Sequence, residues 1–507
     1  MTRKPSVLLA RSSVVICFLA QAAVASAQQV TRISQWPDGS ELRLASFHSP
    51  LISPNGRVVV FVGPDIWMKD LESGALDRIL SFRNQPGAVS FSADGRYLTF
   101  VASEEGRSEL FLLDLASREV MRLVSPEDMA SGVPAAPAVS ADLRWFVYRS
   151  PRGLVLHERG TNVTTVIPGD PVQDSIASIS DDGRRIVLRR LGSRFEPTTV
   201  AVFDRTSGIV ERVDVGAPTL EGHSVVFNAQ ISGDGRFVTF DALCFDCGDS
   251  IRRLFIRDLD WRRTWELVRG MDGTPPNRGG IDLRAINRDG RFVLFESGSS
   301  NLVPDDPGFS DLFVVDRLTR RIVRINGDPR GGSTSFVTSM SADGLRVVFA
   351  LPPILTRLPA GPISPPGPIY RSSLDSDGDG MPDDWERFVG LSPADPADGI
   401  EDSDRDGTSN LDEFRAGSQP RARFQFRTRA ANVDPETSRI SVRHRNETGA
   451  LVWLRLVDAS GLWSAYSITV PSRSTLVVPL TDVPDRPQGP FMLHLQSDVL
   501  IFPGLSQ

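Results

Sequence analysis

The sequence predicts a mainly β fold whose larger part is a ring of seven similar four-stranded units. Two patterns carry this prediction: a short polar turn motif, and an apolar strand motif ending in Asp that trails most of the turns. The turn motif recurs at intervals of 39 to 55 residues, a period typical of repeat architectures. Its seven copies begin at Ser53, Ser92, Ser140, Ser180, Ser232, Asn287 and Ser341.

The turn motif predicts a hairpin in each repeat. The second copy reads Ser92-Ala-Asp-Gly-Arg96 and precedes an apolar run, Tyr97–Val101. Asn-Gly or Asp-Gly between two apolar runs indicates a hairpin in which both turn residues adopt positive φ. Only the third copy lacks the Gly, with Leu143 in its place. We interpret the recurring Asp and Gly residues as turn formers rather than catalytic groups.

The strand motif completes a four-stranded repeat. It reads Leu110-Phe-Leu-Leu-Asp114 in the second repeat, and a polar turn and another strand follow. About four strands in roughly 40–50 residues match a propeller blade. The seventh repeat lacks a fourth strand, and Val30–Ile33 resembles it. We therefore expect a seven-bladed β-propeller over 28–374, closed by the N-terminal strand; Pro352–Pro368 is either a loop of the last blade or a linker.

These turns and strands resemble those of the TolB-like family of WD-type β-propellers. Ser300-Asn-Leu-Val-Pro304, ahead of Asp311-Leu-Phe-Val-Val-Asp316, is similar to secreted bacterial members. The resemblance covers about residues 29–374 and implies the fold. It implies no single function, because such propellers serve both as binding scaffolds and as enzymes.

The N-terminus predicts export. A positive start with Arg3 and Lys4 precedes the apolar run Val14–Leu19 and the small-residue site Ala25-Ser26-Ala27. Residues 1–27 therefore match a cleaved signal peptide, and an uncleaved anchor is the alternative. The apolar run is too short to span a bilayer. We expect a periplasmic or extracellular protein without a transmembrane segment.

Export bears on the cysteines. Loss of the signal peptide would leave Cys244 and Cys247, in a Cys-Phe-Asp-Cys run. In an oxidising compartment this pair is predicted to form a small-loop disulfide. A redox site would need a thioredoxin-like strand–helix context, and a zinc site would need two further ligands.

Acidic charge is concentrated in one segment. The whole chain carries a net charge of −7, whereas residues 375–413 contain 14 acidic and 2 basic side chains. The rest of the chain is close to neutral, which argues against nucleic acid as a partner.

Both halves of the acidic segment fit the twelve-position calcium loop. Ca²⁺ takes six to eight oxygens at about 2.3–2.6 Å, and alternate carboxylates on a tightly curled loop supply them. Mg²⁺ prefers fewer protein ligands, and a solvated acidic linker is the alternative. We expect two Ca²⁺ sites, with ligands at positions 1, 3, 5, 7 (carbonyl), 9 and 12: Asp375, Asp377, Asp379, Met381, Asp383 and Glu386; then Asp402, Asp404, Asp406, Thr408, Asn410 and Glu413.

A short helix is predicted after each loop. Trp385 with Phe388, and Leu411 with Phe414, fall three residues apart and can face inward together. This EF-hand-like arrangement over 375–417 resembles the loop–helix half of dockerin modules and the thrombospondin type 3-like repeats of secreted bacterial proteins. We expect a structural calcium clip between domains.

The last segment, 418–507, is predicted to be a small β-sandwich. Trp453 and Trp463 are interpreted as core residues, and a sugar-binding surface is the alternative. The segment holds six strand-like runs: Arg423–Thr428, Arg439–Arg443, Leu451–Val457, Trp463–Val470, Thr475–Leu480 and Phe491–Gln496.

No catalytic motif stands out in the sequence. It contains neither Gly-x-Ser-x-Gly nor His-Glu-x-x-His, and His48, His157 and His223 fall at different phases of their repeats. The leading hypothesis is a non-catalytic, monomeric scaffold for an unidentified protein or glycan. The rival is a carbohydrate-active lyase or hydrolase that uses carboxylates of the propeller channel. A third hypothesis is a protein-interaction module in an envelope complex.

Overall fold

The computed structural model describes most of the chain from Val30 to Ser506. None of the helices it describes is long and apolar enough to cross a membrane. The described residues are 30–36, 38–40, 49–82, 86–104, 107–124, 137–161, 163–170, 174–192, 198–217, 220, 224–244, 251–326, 337–350, 369–421, 424–430, 439–444, 450–458, 463–470, 474–479, 491–497 and 501–506.

Seven four-stranded antiparallel sheets make up the first part of the chain. The strands, in chain order, are β1 (Val30–Arg32); β2 (Ser49–Ile52), β3 (Val58–Val62), β4 (Asp65–Asp70), β5 (Leu76–Ser81); β6 (Gly87–Phe91), β7 (Tyr97–Glu104), β8 (Arg107–Asp114), β9 (Val120–Val124); β10 (Ala138–Val139), β11 (Trp145–Ser150), β12 (Gly153–Glu158), β13 (Thr164–Val166); β14 (Asp174–Ile179), β15 (Arg185–Arg190), β16 (Thr199–Asp204), β17 (Ile209–Arg212); β18 (Ser224–Ile231), β19 (Phe237–Cys244), β20 (Arg252–Asp258), β21 (Arg263–Glu266); β22 (Ile281–Ile286), β23 (Phe292–Ser297), β24 (Asp311–Asp316), β25 (Ile322–Arg324); and β26 (Val337–Met340), β27 (Arg346–Ala350), β28 (Ile369–Ser373).

The strand order establishes a seven-bladed β-propeller. Six sheets run β2-β3-β4-β5 and so on in chain order, as expected for blades built from consecutive strands. The seventh has the order β1-β28-β27-β26, and Val30 pairs with Ser372 in it. The start of the chain therefore supplies the outer strand of the last blade. Pro352–Pro368 lies outside the described residues.

The repeated turn and the repeated Asp hold each other in place. In the second blade, Ser92 Oγ donates to Asp94 Oδ1, which also accepts a hydrogen bond from the Arg96 backbone N–H at 3.0 Å. The Arg96 guanidinium reaches Asp114, at the end of the third strand, at 2.7 Å. This pairing explains why the two motifs recur together in one blade.

The backbone conformation corrects one expectation about these turns. Among the turn residues, the Gly has positive φ, as at Gly95 with 69°, but the preceding Asp does not. Because Gly95 N–H bonds to Ser92 O at 2.9 Å, each turn is a four-residue β-turn whose last residue is left-handed, not a two-residue turn with two positive φ values. Leu143 takes the left-handed position of the third blade with φ 58°.

Apolar clusters fill the space between every pair of adjacent blades. The cluster that joins the seventh blade to the first contains Val59, Phe61, Val348 and Ile369, all at most 1% exposed. The turns are also linked: the Ala342 N–H of the last blade bonds to the Pro54 carbonyl of the first at 2.9 Å. Both features close the ring, because they join the last blade to the first.

The acidic segment forms two short helices, as predicted. They are α1 (Asp383–Val389) and α2 (Asn410–Ala416), with a single 3₁₀ turn at Asp398–Ile400 between them. Gly390 and Gly417 end the helices in the left-handed conformation, which glycine adopts without steric cost.

The last segment contains seven described strands in two sheets. The sheet orders are β29-β34-β31-β32 and β33-β30-β35; that these two sheets pack as a sandwich stays a prediction. Trp453 is 1% exposed, which agrees with its interpretation as a core residue. The strands are β29 (Phe424–Ala430), β30 (Arg439–His444), β31 (Ala450–Asp458), β32 (Trp463–Val470), β33 (Thr475–Pro479), β34 (Phe491–Ser497) and β35 (Ile501–Ser506).

Candidate metal centre

The first predicted calcium loop is curled so that its carboxylates converge. Asp375, Asp377 and Asp379 each place a carboxylate oxygen within 4.8 Å of the others. The Asp375 carboxylate accepts hydrogen bonds from Gly378 N–H (2.7 Å) and Gly380 N–H (3.1 Å), so the backbone of the loop curves around this carboxylate. Gly380 has φ 99°, a conformation that favours glycine and produces the sharp turn at position 6.

Glu386, at position 12, lies on α1 and faces this cluster. Its side chain is fully buried, and among the described residues neither carboxylate oxygen has a hydrogen-bond partner. Burial, together with Asp377 and Asp379, raises the pKa of Glu386 to about 9. The pKa of Asp379 is raised to about 6, again mainly by burial. A buried carboxylate without a donor is costly, and a cation bound by this cluster would offset that cost.

The second loop repeats the arrangement. Asp402, Asp404 and Asp406 bring carboxylate oxygens within 4.8 Å of one another. Gly407 has φ 95°, and its N–H bonds to Asp402 at 2.9 Å. Glu413, on α2, is 1% exposed, and no described residue donates a hydrogen bond to either carboxylate oxygen. Burial and the charges of Asp404 and Asp406 raise its pKa to about 9.

The position 9 side chains bond to the serine at position 2 of their own loops, and their role as ligands stays a prediction. Asp383 accepts from both the N–H and the hydroxyl of Ser376, at 2.7 Å each. Asn410 accepts from Ser403 N–H at 3.3 Å and donates to Ser403 Oγ at 3.0 Å. Within the part of the chain that the structure describes, Asp383 belongs to neither carboxylate cluster. In both loops the position 9 side chain is therefore hydrogen-bonded to the serine at position 2.

Position 7 offers only a backbone carbonyl in the predicted scheme. The Met381 side chain is fully buried in the apolar cluster beneath the loop, while Thr408 is half-buried. Their carbonyls remain predicted ligands.

Sequence reasoning missed one member of the centre. Asp398, in the 3₁₀ turn between the loops, places a carboxylate oxygen within 4.8 Å of Asp379 and Glu386. The side chain is 6% exposed, and its Oδ1 has no hydrogen-bond partner among the described residues. No signal in the sequence separates it from the neighbouring Asp395, because it lies outside both twelve-residue loops.

The chemistry of these donors fits a hard divalent cation. The sites consist of carboxylate oxygens alone among their clustered, described side chains, and several of those oxygens are buried without a proton donor. Hard oxygen ligands suit Ca²⁺ and Mg²⁺, and a centre rich in carboxylates from one loop is typical of Ca²⁺.

The two helices dock onto blades six and seven. Trp385 of α1 is 2% exposed and meets Phe414 of α2 edge to face, with ring centroids 4.9 Å apart. Both rings belong to the apolar cluster that contains Leu294 of blade six and Phe349 of blade seven. Trp453 of the last segment lies in the same cluster.

Polar contacts reinforce this junction. Arg291, from the turn of blade six, donates to the Phe414 carbonyl, and its guanidinium carbon lies 3.7 Å from the Phe414 ring centroid. Arg321 pairs with Asp384 of α1, and its Nη2 donates at 2.7 Å. The carboxylate loops are thus attached to the propeller through the helices that follow them.

The remaining candidate residues are distributed through the propeller. Cys244 ends β19, is 5% exposed and is disulfide-bonded, while its predicted partner Cys247 lies outside the described residues. His157 lies on β12 with its Nδ1 3.4 Å from Thr164 Oγ1. His48 and His223 also lie outside the described residues, so that the convergence of the three histidines is not tested.

Comparison with solved structures finds partial similarities at low sequence identity. TolB from Acinetobacter baumannii is similar with a TM-score of 0.36 and 15% identity, over 54% of this chain and 63% of its own. An oligogalacturonate lyase from Vibrio parahaemolyticus is similar with a TM-score of 0.48 and 12% identity, over 68% of this chain and 94% of its own. The chain thus spans less than two thirds of that TolB chain. No protein-family model matches, and the propeller assignment rests on the sheet topology.

Proposed function

We propose that this chain is an exported, non-catalytic calcium-binding protein whose propeller serves as a scaffold for a protein or glycan ligand. The observation that carries the calcium part is the pair of buried glutamates, Glu386 and Glu413. Each closes a loop of three converging aspartates, and neither has a proton donor within the described structure. A bound Ca²⁺ would compensate these charges at both positions.

In this proposal Ca²⁺ acts on the junction between domains. When bound, it supplies the positive charge that lets each loop stay curled and each position 12 glutamate stay buried. Glu386 belongs to the same helix as Trp385, and Glu413 precedes Phe414, so the ligands and the docking residues adjoin. Calcium would therefore hold both helices against blades six and seven, as a structural clip that resembles dockerin and thrombospondin type 3-like loops.

The test is calcium titration combined with thermal unfolding of the full chain, in calcium and in chelator. Binding to the native state alone stabilises by RT ln(1 + [L]/Kd), about 2.7 kcal/mol per site at 100 times the Kd. We expect two sites and a higher unfolding midpoint in calcium.

Matched variants assign the effect to the loops. Glu386→Gln together with Glu413→Gln should abolish both the binding and the shift. Glu401→Gln changes an exposed acid of the same segment that belongs to neither cluster among the described residues, and it should leave both intact. Absence of binding at millimolar calcium would contradict the proposal, and would identify the segment as an acidic linker.

The scaffold part of the proposal competes with an enzymatic one. Asp241 of blade five has its pKa raised to about 6 by burial, a shift that a catalytic acid also shows. Its carboxylate, however, is fully buried and accepts from Asn228 N–H at 2.8 Å and from Arg252 at 3.2 Å, which is a structural environment. A glycan array and a polysaccharide-turnover screen separate the hypotheses: turnover that disappears on mutation of one channel Asp would replace the scaffold with a carbohydrate-active enzyme.

A further inference from the structure

Three features of the Asp398 side chain suit a cation ligand. Its Oδ1 is buried without a hydrogen-bond partner among the described residues, and it lies in one group with Asp379 and Glu386. The other oxygen accepts a hydrogen bond from Ser392 N–H at 2.8 Å, which fixes the orientation of the carboxylate. Asp379 also belongs to the group formed with Asp375 and Asp377, so it joins Asp398 to the first loop.

The backbone next to Asp398 is in close contact with the first loop. A Cβ atom added at Gly399 would lie 2.6 Å from Asp379 Oδ2. No residue other than glycine fits this approach without displacing the position 5 carboxylate. This close packing holds the 3₁₀ turn against the first loop, with Asp398 beside Asp379 and Glu386.

The same turn also contacts the second loop. Asn410, at position 9 of that loop, is fully buried and donates its Nδ2 to the Asp398 carbonyl at 2.7 Å. Asn410 bonds in addition to Ser403, at position 2. One residue thus has its side chain in the first cluster and its backbone tied to the second loop.

We propose that Asp398 is a fifth carboxylate ligand of the first calcium site, supplied from outside its loop, and that it couples the two sites. This inference rests on the proposed calcium function. The first site then holds five carboxylates, those of Asp375, Asp377, Asp379, Glu386 and Asp398, against four in the second. Because more ligand charge raises calcium affinity, the first site binds more tightly than the second.

The coupling follows from the Asn410 contact. Calcium that orders the second loop fixes the position of Asn410. Through its hydrogen bond to the Asp398 carbonyl, Asn410 then fixes the 3₁₀ turn that contains Asp398. The first site is then partly assembled before it fills, so binding at the second site raises the affinity of the first.

The experiment isolates each site in the full chain by calorimetric calcium titration. Glu413→Gln removes the second site, so that only the first can bind calcium. Glu386→Gln removes the first site, so that only the second can bind calcium. Adding Asp398→Asn to the Glu413→Gln background should weaken calcium binding by about tenfold or more, since loss of even outer-shell partners of a metal costs about 10–100-fold. In the Glu386→Gln background the same change should alter the affinity by less than about threefold.

Asp395→Asn is the matched control for a nearby acid. Asp395 is exposed and belongs to no cluster among the described residues, so this change should leave both affinities unaltered. Asp398→Asn that titrates like Asp395→Asn would overturn the ligand role while the calcium function stands. Absence of calcium binding by the unmodified chain would overturn the calcium function itself, and the inference with it.

A stability measurement separates a ligand from a structural residue. The amide oxygen that Asp398→Asn introduces would still accept from Ser392 N–H, so this variant should keep or raise the unfolding midpoint in chelator, where it removes a buried charge. In calcium it should reduce the stabilisation. A midpoint that falls equally in chelator and in calcium would identify Asp398 as a structural residue and overturn the proposal.

Discussion

Arg291→Ala tests whether the acidic segment is attached to the propeller through one turn residue. Arg291 occupies the Arg position of the sixth repeated turn, and its side chain is 4% exposed. It pairs with Asp316 at 3.0 Å, donates to the Phe414 carbonyl and stacks on the Phe414 ring. Removing it leaves Asp316 buried without its cation and Phe414 without both contacts.

The expected loss is about 3–5 kcal/mol of unfolding free energy, the usual cost of breaking a buried ion pair from one side. Arg184→Ala is the matched control. Arg184 occupies the same motif position in blade four and pairs with Asp204 at 3.0 Å, but its side chain is 46% exposed. An exposed pair contributes about 0–1 kcal/mol, so this variant should lose no more than that.

The assay is urea unfolding of both variants in saturating calcium, followed by tryptophan fluorescence because Trp385 and Trp453 lie at the junction. Arg291→Ala should also reduce the proposed stabilisation by calcium, since the docked helices carry the proposed ligands Glu386 and Glu413. Equal losses for the two variants would refute the reasoning, because the difference between them rests only on burial and on the Phe414 contacts.

Two further predictions concern the propeller itself. Gly183→Ala should lower the free energy of unfolding by about 2–4 kcal/mol, because φ is +66° and the new Cβ would lie 2.4 Å from Trp145. Gly208→Ala is the control: its φ is +71° but the space around it is open, so it should lose only about 1–2 kcal/mol. Urea unfolding measures both losses, and equal losses would contradict the steric argument. Burial raises the pKa of Asp241 to about 6 despite the nearby Arg252, so its protonated form favours the folded state below about pH 4 and that stabilisation, at most about 3 kcal/mol, is lost as pH rises through about 6. Asp241→Asn should reduce the pH dependence of the unfolding midpoint between about pH 4 and 7. An unchanged pH dependence would show that other groups are responsible.

Local patterns in the sequence were sufficient for the propeller. A Ser-x-Asp-Gly-Arg turn and an Asp at the end of the third strand describe one blade, because the hydrogen bonds and the ion pair that join them form within that blade. Repetition then determines the number of blades. The exception is the turn type, because the positive φ falls on Gly95 and not on Asp94; Asp94 serves through its side chain.

The two carboxylate loops were also predictable from spacing. Positions 1, 3 and 5 converge because Gly380 and Gly407 turn the chain sharply at position 6, which is a property of the loop alone. The hydrogen bonds of position 9 were not predicted from the sequence, and its role as a ligand stays a prediction. Asp383 and Asn410 each have a serine at position 2 as an alternative partner, and the folded loop satisfies that partner.

Within one repeat or one loop, local sequence was therefore enough to predict the blade, the position of its turn, the helix after each loop and the convergence of the aspartates, but not the turn type. The tertiary structure alone decided which turn arginine is buried and which isolated acid joins a site. Arg291 and Arg184 occupy the same position of the repeated turn motif, yet of these two only Arg291 contacts α2. Asp398 and Asp395 are three residues apart, yet of these two only Asp398 faces Glu386, because long-range packing of the 3₁₀ turn against the first loop, and not spacing along the chain, sets that distance.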